Sequence, residues 1–129
     1  LIEETADFND AAEAVIGWIE THSSWNETLL IVTSDHGNGL VCGPDAGTIP
    51  YQPVQNRGAR VMPGLSFQVT GHTNELVKLW AKGLYSIQFL TGTPPADPGF
   101  SFHTGHNADG LYIDNTDIFR VMSTALYAE

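Results

Sequence analysis

The sequence predicts an α/β fold. Three observations carry that expectation: apolar residues at helical spacing over 8–21, the strand-like run Leu29-Leu30-Ile31-Val32, and a second helical stripe beginning near Asn115. A helix that leads into a buried strand is one half-turn of an α/β sandwich.

In the first stripe, Phe8, Ala11, Ala12, Val15, Trp18 and Ile19 share one face, with Asp7 placed to cap the first turn. The face reads as core packing. His22 closes the helix, where an imidazolium favours the C-terminal end of the dipole. The run 29–32 is too short for a helix and fits a strand buried on both faces, as in a parallel sheet. Gly and Pro then crowd 37–64, which predicts a long irregular excursion. Two strands are expected on either side of Gly71-His72-Thr73, over 65–69 and 75–81; 84–90 fits a strand or a short helix equally. Residues 91–110 are again rich in Gly and Pro. A final helix starts at Asn115-Thr116-Asp117, with Ile118, Val121, Met122, Ala125 and Leu126 on its apolar face.

Composition removes several classes of function. Among 129 residues, fifteen Asp and Glu face five Lys and Arg, a formal net charge of −10. Nucleic acid and anionic membranes both demand cationic patches, so neither is an expected partner. Cys42 is the one cysteine, which excludes an intrachain disulfide and a Cys-rich zinc finger. No apolar run is long enough to span a bilayer. The chain opens Leu1-Ile2-Glu3-Glu4, without an initiator Met or a signal-type leader, and is expected to be a segment of a longer protein.

Chemistry concentrates in Thr33-Ser34-Asp35-His36-Gly37-Asn38-Gly39. In open α/β sheets, ligands bind beyond the carboxyl ends of the strands. Gly37 and Gly39 permit the backbone to turn there, so that Asp35 and His36 can face one cation. Carboxylate oxygen and imidazole nitrogen are both zinc donors, although a catalytic zinc usually has three protein ligands. The same pair also fits an Asp that holds the tautomer of a His, or a surface turn. His72 is the third candidate. His103 and His106 have a spacing of three but sit in a Gly/Pro-rich loop, and read as loop residues. Ser34 carries no sign of activation, Cys42 has no neighbour in sequence that lowers its pKa, and Arg57 and Arg60 read as solvated loop cations.

Three stretches, LLIVTSDHGNG (29–39), TGHTNELVKLWAKG (70–83) and DGLYIDNTDIFRVM (109–122), resemble in order the C-terminal part of a bacterial-type alkaline phosphatase. The Asp-His-Gly motif alone is shared with phosphoglycerate mutases of the same superfamily; the other two stretches are more specific to the phosphatases. The resemblance implies that residues 1–129 are the C-terminal segment of an α/β/α sandwich of that type, with 37–69 as its crown-like insertion. It implies a phosphomonoesterase with two zinc ions and one magnesium. By position, Asp35 and His36 match ligands of the zinc that activates the serine nucleophile, and His72 matches a ligand of the other zinc. The serine, the phosphate-clamping arginine, the magnesium ligands and the remaining zinc ligands lie upstream in the family and have no match here. The segment alone is therefore expected to be inactive. The resemblance also implies a homodimer, the rest of the same enzyme as partner, and a periplasmic or secreted location. The competing expectations are a mutase or phosphodiesterase of the superfamily, and a non-catalytic scaffold remnant or interaction module.

Overall fold

The computed structural model describes residues 2–91 and 112–127, which group into two compact units. The first unit comprises Leu1–Val32 and Trp80–Glu129, and the second Thr33–Leu79. His103 and His106 lie outside the described residues.

The first unit opens with helix α1, Ile2–His22. It begins earlier than the apolar spacing predicts, and Asp7 lies inside it. Residues 2–7 contain neither Gly nor Pro, and Glu3 and Glu4 place carboxylates in the first turn, where the dipole favours them. The helix ends on its own side chains. Thr21 Oγ1 donates to Gly17 O at 2.8 Å, His22 Nδ1 lies 3.2 Å from Trp18 O, and the His22 ring stacks on Trp18. His22 is thus structural, as expected. The apolar stripe is a different matter: Ile19 is buried, while Phe8, Val15 and Trp18 are exposed.

Strand β1, Leu29–Thr33, pairs in a two-stranded sheet with β6, Leu79–Gly83. Leu84 N–H donates to Thr28 O at 2.9 Å, which sets the start of β1 beside the end of β6. That is the antiparallel sense, and β1 is half-buried. The expected strand buried on both faces of a parallel sheet is corrected on both counts. A short apolar run is compatible with either kind of sheet, and its partner lies far along the chain. The strand expected over 75–81 likewise forms later, at β6.

Beyond β6 the chain turns into a short helix α2, Gln88–Thr91, which packs on helix α3, Asn115–Tyr127. Phe89 and Val121 form the core here, 4% and 0% exposed. The start of α3 is a reciprocal cap. Asp114 Oδ1 accepts from Thr116 N–H at 2.9 Å and from Thr116 Oγ1 at 2.7 Å, while Asp117 Oδ2 accepts from Asp114 N–H at 3.2 Å. The Thr116 main-chain N–H, then its hydroxyl, hold the Asp114 carboxyl below its ordinary pKa. A depressed folded-state pKa contributes stability above the unfolded value of about 3.9, lost as pH falls through the folded value. Acidification from pH 6 to pH 2 should therefore remove helical ellipticity from wild type. Asp114→Asn caps at every pH and should lose less. Identical acid profiles for the two proteins would sink this assignment of the cap.

The second unit is a nested set of short antiparallel pairings. Strand β2, Gly37–Asn38, pairs with β5, His72–Thr73; β3, Val41–Cys42, pairs with β4, Ser66–Phe67; and Gln55 bridges Gly64. The excursion expected to be irregular thus doubles back on itself like one long, interrupted hairpin. The strand expected over 65–69 shortens to β4. Gly39 has φ +80° and takes the turn between β2 and β3, with its N–H donating to Gly71 O at 3.0 Å. Cys42 is buried within this ladder, with Ser66 as its register partner.

Candidate functional site

The candidate residues lie together in the second unit. Where β1 ends, Ser34 Oγ donates to His36 O at 2.9 Å and fixes a tight bend. Its hydroxyl proton is thereby engaged in the local bend. The bend turns Asp35 back onto its neighbour. His36 N–H donates to Asp35 Oδ1 at 3.0 Å, and Asp35 Oδ2 lies 3.2 Å from His36 Nε2. Asp35 is largely exposed and His36 partly buried. The Asp35 carboxyl is held below its ordinary pKa, first by the His36 main-chain N–H, then by the His36 ring and the Ser34 hydroxyl. It is a carboxylate at neutral pH.

His72 arrives from the far side of the excursion. The β2–β5 register sets Asn38 opposite His72 and Gly37 opposite Thr73. The His36 and His72 rings then stack, with centroids 3.6 Å apart and planes inclined by 29°. All three residues singled out from sequence thus meet at one place. Arg57 and Arg60 are exposed on the loop between the Gln55–Gly64 bridge residues, as solvated cations.

The Asp35–His36 pair fits a zinc ion in donor type and spacing. Two donors at about 2.0 Å from a tetrahedral zinc lie about 3.3 Å apart, close to the separation of Oδ2 and Nε2. The number of donors falls short. Among the described residues, no group of three or more His, Cys, Asp or Glu side chains is arranged to hold a metal ion. His72 stacks beside His36 and does not join its donor pair. The residues present therefore suit part of a zinc shell, which further groups would have to complete.

Two residues that sequence reasoning passed over also face this corner. A Cβ added to Gly37 would meet the Glu75 side chain and Thr73 Oγ1. Thr73 Oγ1 is itself buried without a hydrogen-bond partner among the described residues. A carboxylate three residues after His72 was the only available signal, and it is weak. No helix among the described residues is long and apolar enough to cross a membrane. In comparison with known proteins, no family model, no curated protein and no solved structure matches this chain.

Proposed function

We propose that the chain is part of a metal-dependent phosphomonoesterase of the alkaline phosphatase type. In this reading it supplies Asp35, His36 and His72 to a two-zinc site. The serine nucleophile and the magnesium ligands belong to an upstream part of the same enzyme, exported to the periplasm or beyond. The observation that supports it is the meeting of Asp35 and His36 with His72 across the β2–β5 register, with zinc-compatible spacing in the first pair. Zinc bound there supplies Lewis-acid stabilisation of the phosphoryl oxygens. The chain's own residues do the positioning. The His36 main-chain N–H holds the Asp35 carboxylate, and the neighbouring pairing of β2 with β5 brings His72 to His36.

The test is hydrolysis of a chromogenic phosphate monoester at alkaline pH, with zinc and magnesium added. Residues 1–129 alone should give no turnover above the blank. Turnover that disappears in His36→Ala would contradict this expectation and show that the site is completed by another chain or by residues of this one outside those described.

A second reading, a non-catalytic scaffold remnant or interaction module, is favoured by one observation: among the described residues no three donors converge. Weak zinc binding alone fits both readings; its dependence on Asp35 and His36 separates them.

A further inference from the structure

We propose that α1 docks on the tip of the excursion between β3 and β4 of a second copy of this chain. The apolar stripe of the helix lies against Tyr51 and its neighbours, and the helix carboxylates lie against Arg57 and Arg60. The contact does not depend on the phosphatase reading.

Helix α1 has two apolar stripes. One turns inward: Ile19 is buried, and Ala12 and Ile16 are half-buried. The other is Phe8, Ala11, Val15 and Trp18, at alternating spacings of three and four, which sets them on one side of the helix. All four are exposed. Three large apolar side chains along one stripe are more than the scatter of single residues normal on a surface. The rim of this stripe is acidic. Glu4 lies one turn before Phe8, and Asp7 one turn before Ala11, both exposed. Over Ile2–His22 the helix carries six carboxylates and neither Lys nor Arg.

The excursion has the opposite charge. Residues 46–74 contain no Asp or Glu, the longest such stretch in the chain, and Arg57 and Arg60 are two of its five cationic side chains. Both are exposed, as are Ile49, Tyr51, Val61 and Met62 near them in sequence. The backbone around Tyr51 is held by local hydrogen bonds. Gly43 N–H donates to Gln52 O at 2.6 Å, Asp45 N–H to Gln52 Oε1 at 2.7 Å, and Ile49 N–H to Asp45 O at 2.8 Å. Tyr51 has φ +57°, a conformation that residues with a Cβ rarely take, and it is 85% exposed. Backbone strain that serves only to present an exposed ring points to a use for that ring. A loop already fixed loses little freedom on contact, and Tyr and Arg are frequent interface anchors.

The two surfaces answer each other. One is apolar with a carboxylate rim; the other is apolar with guanidinium groups, which take carboxylates through paired hydrogen bonds. Every copy carries both, so each can give its loop and receive one. Such a contact closes as a reciprocal pair or continues as a chain. The net charge opposes the approach of two copies. At about 0.1 M salt, however, charges more than about 10 Å apart are largely screened, and those facing across the contact dominate.

Sedimentation velocity of residues 1–129 over a concentration series, at about 0.1 M salt, reads the association directly. The mass of wild type should rise above that of one chain as concentration increases. Arg57→Glu with Arg60→Glu should weaken association at least about 10-fold, because like charges across a contact repel. Glu4→Arg with Asp7→Arg should weaken it similarly. This second variant has less negative charge overall, so a general charge effect would strengthen its association instead. Mixed in equal amounts, the two variants should associate as wild type does, since each meets its opposite on both surfaces. A loss of structure in either variant cannot produce that result. A wild type that keeps the mass of one chain at every concentration overturns the proposal, whether or not the variants fold. So does association that either pair of substitutions leaves unchanged. A mixture that stays apart, although circular dichroism shows both variants folded, overturns it as well.

Discussion

Replacing Gly83 by Ala is expected to destabilise the first unit by about 3 kcal/mol. Two costs combine at this position. Gly83 has φ +99°, a backbone conformation that strains any residue with a Cβ by roughly 1–3 kcal/mol. The added Cβ would also overlap the Thr28 carbonyl oxygen and press on the Trp25 ring at 3.1 Å. Overpacking of this kind costs roughly 1–3 kcal/mol, and a backbone atom cannot swing away as a side-chain end can. The location makes the damage general. Gly83 ends β6, the following residue's N–H bonds Thr28 O, and Ser86 Oγ donates to Gly83 O at 2.8 Å. Gly17→Ala is the control with the opposite sign. Nothing lies within 4 Å of a Cβ there, and Ala in a helix interior should stabilise by about 0.5–1 kcal/mol. Urea titrations of the three proteins give both values from the midpoints at constant slope. A Gly83→Ala midpoint equal to wild type would show that this close approach does not exist.

Zinc binding should be weak in wild type and should fall by more than 100-fold in Asp35→Ala or His36→Ala. Outer-shell partners of metal ligands are worth about 10–100-fold in affinity, and a direct donor exceeds them. Among the described residues no third donor joins the Asp35–His36 pair, so losing one of the two leaves almost nothing at that position. His72→Ala should have a smaller effect on that same ion, because its ring stacks on His36 instead of sharing the donor pair. Isothermal titration with zinc at pH 8 orders the variants. Equal affinities for wild type, Asp35→Ala and His36→Ala would remove the metal reading and favour the non-catalytic module.

Helix α3 was the most legible part of the sequence. Its start at Asn115 follows from Asp114, Thr116 and Asp117, three neighbours that cap one another, so distant contacts were not needed. Helix α1 was legible in type and not in extent, because apolar spacing marks where a helix packs, whereas Glu3 and Glu4 continue it by propensity and dipole. The burial of its stripe was misjudged. Periodicity identifies a face, and only a neighbour can cover it; of that face the structure buries Ile19. The strand at 29–33 could be recognised from its apolar run, whereas its antiparallel partner could not, since pairing with β6 is a long-range choice. Within the site, Asp35 and His36 adjoin in sequence, so their contact was foreseeable. The packing of Thr73 and Glu75 over Gly37 was not, because a clash with an absent Cβ on Gly37 arises only once distant segments meet.

By itself, the sequence determined local quantities: the helical stripes, the helix start at Asn115-Thr116-Asp117, the turn capacity of Gly39, the acidic charge, and the placing of a carboxylate and an imidazole just past an apolar strand. These depend on residues a few positions apart, whose interactions are set by backbone geometry alone. Only the tertiary structure decided that β1 runs antiparallel to β6, that the Gly/Pro-rich excursion folds into nested pairings, and that His72 comes to rest against His36. Those outcomes close long loops. The free energy that selects among them comes from packing and register over the whole unit, and no local pattern encodes it.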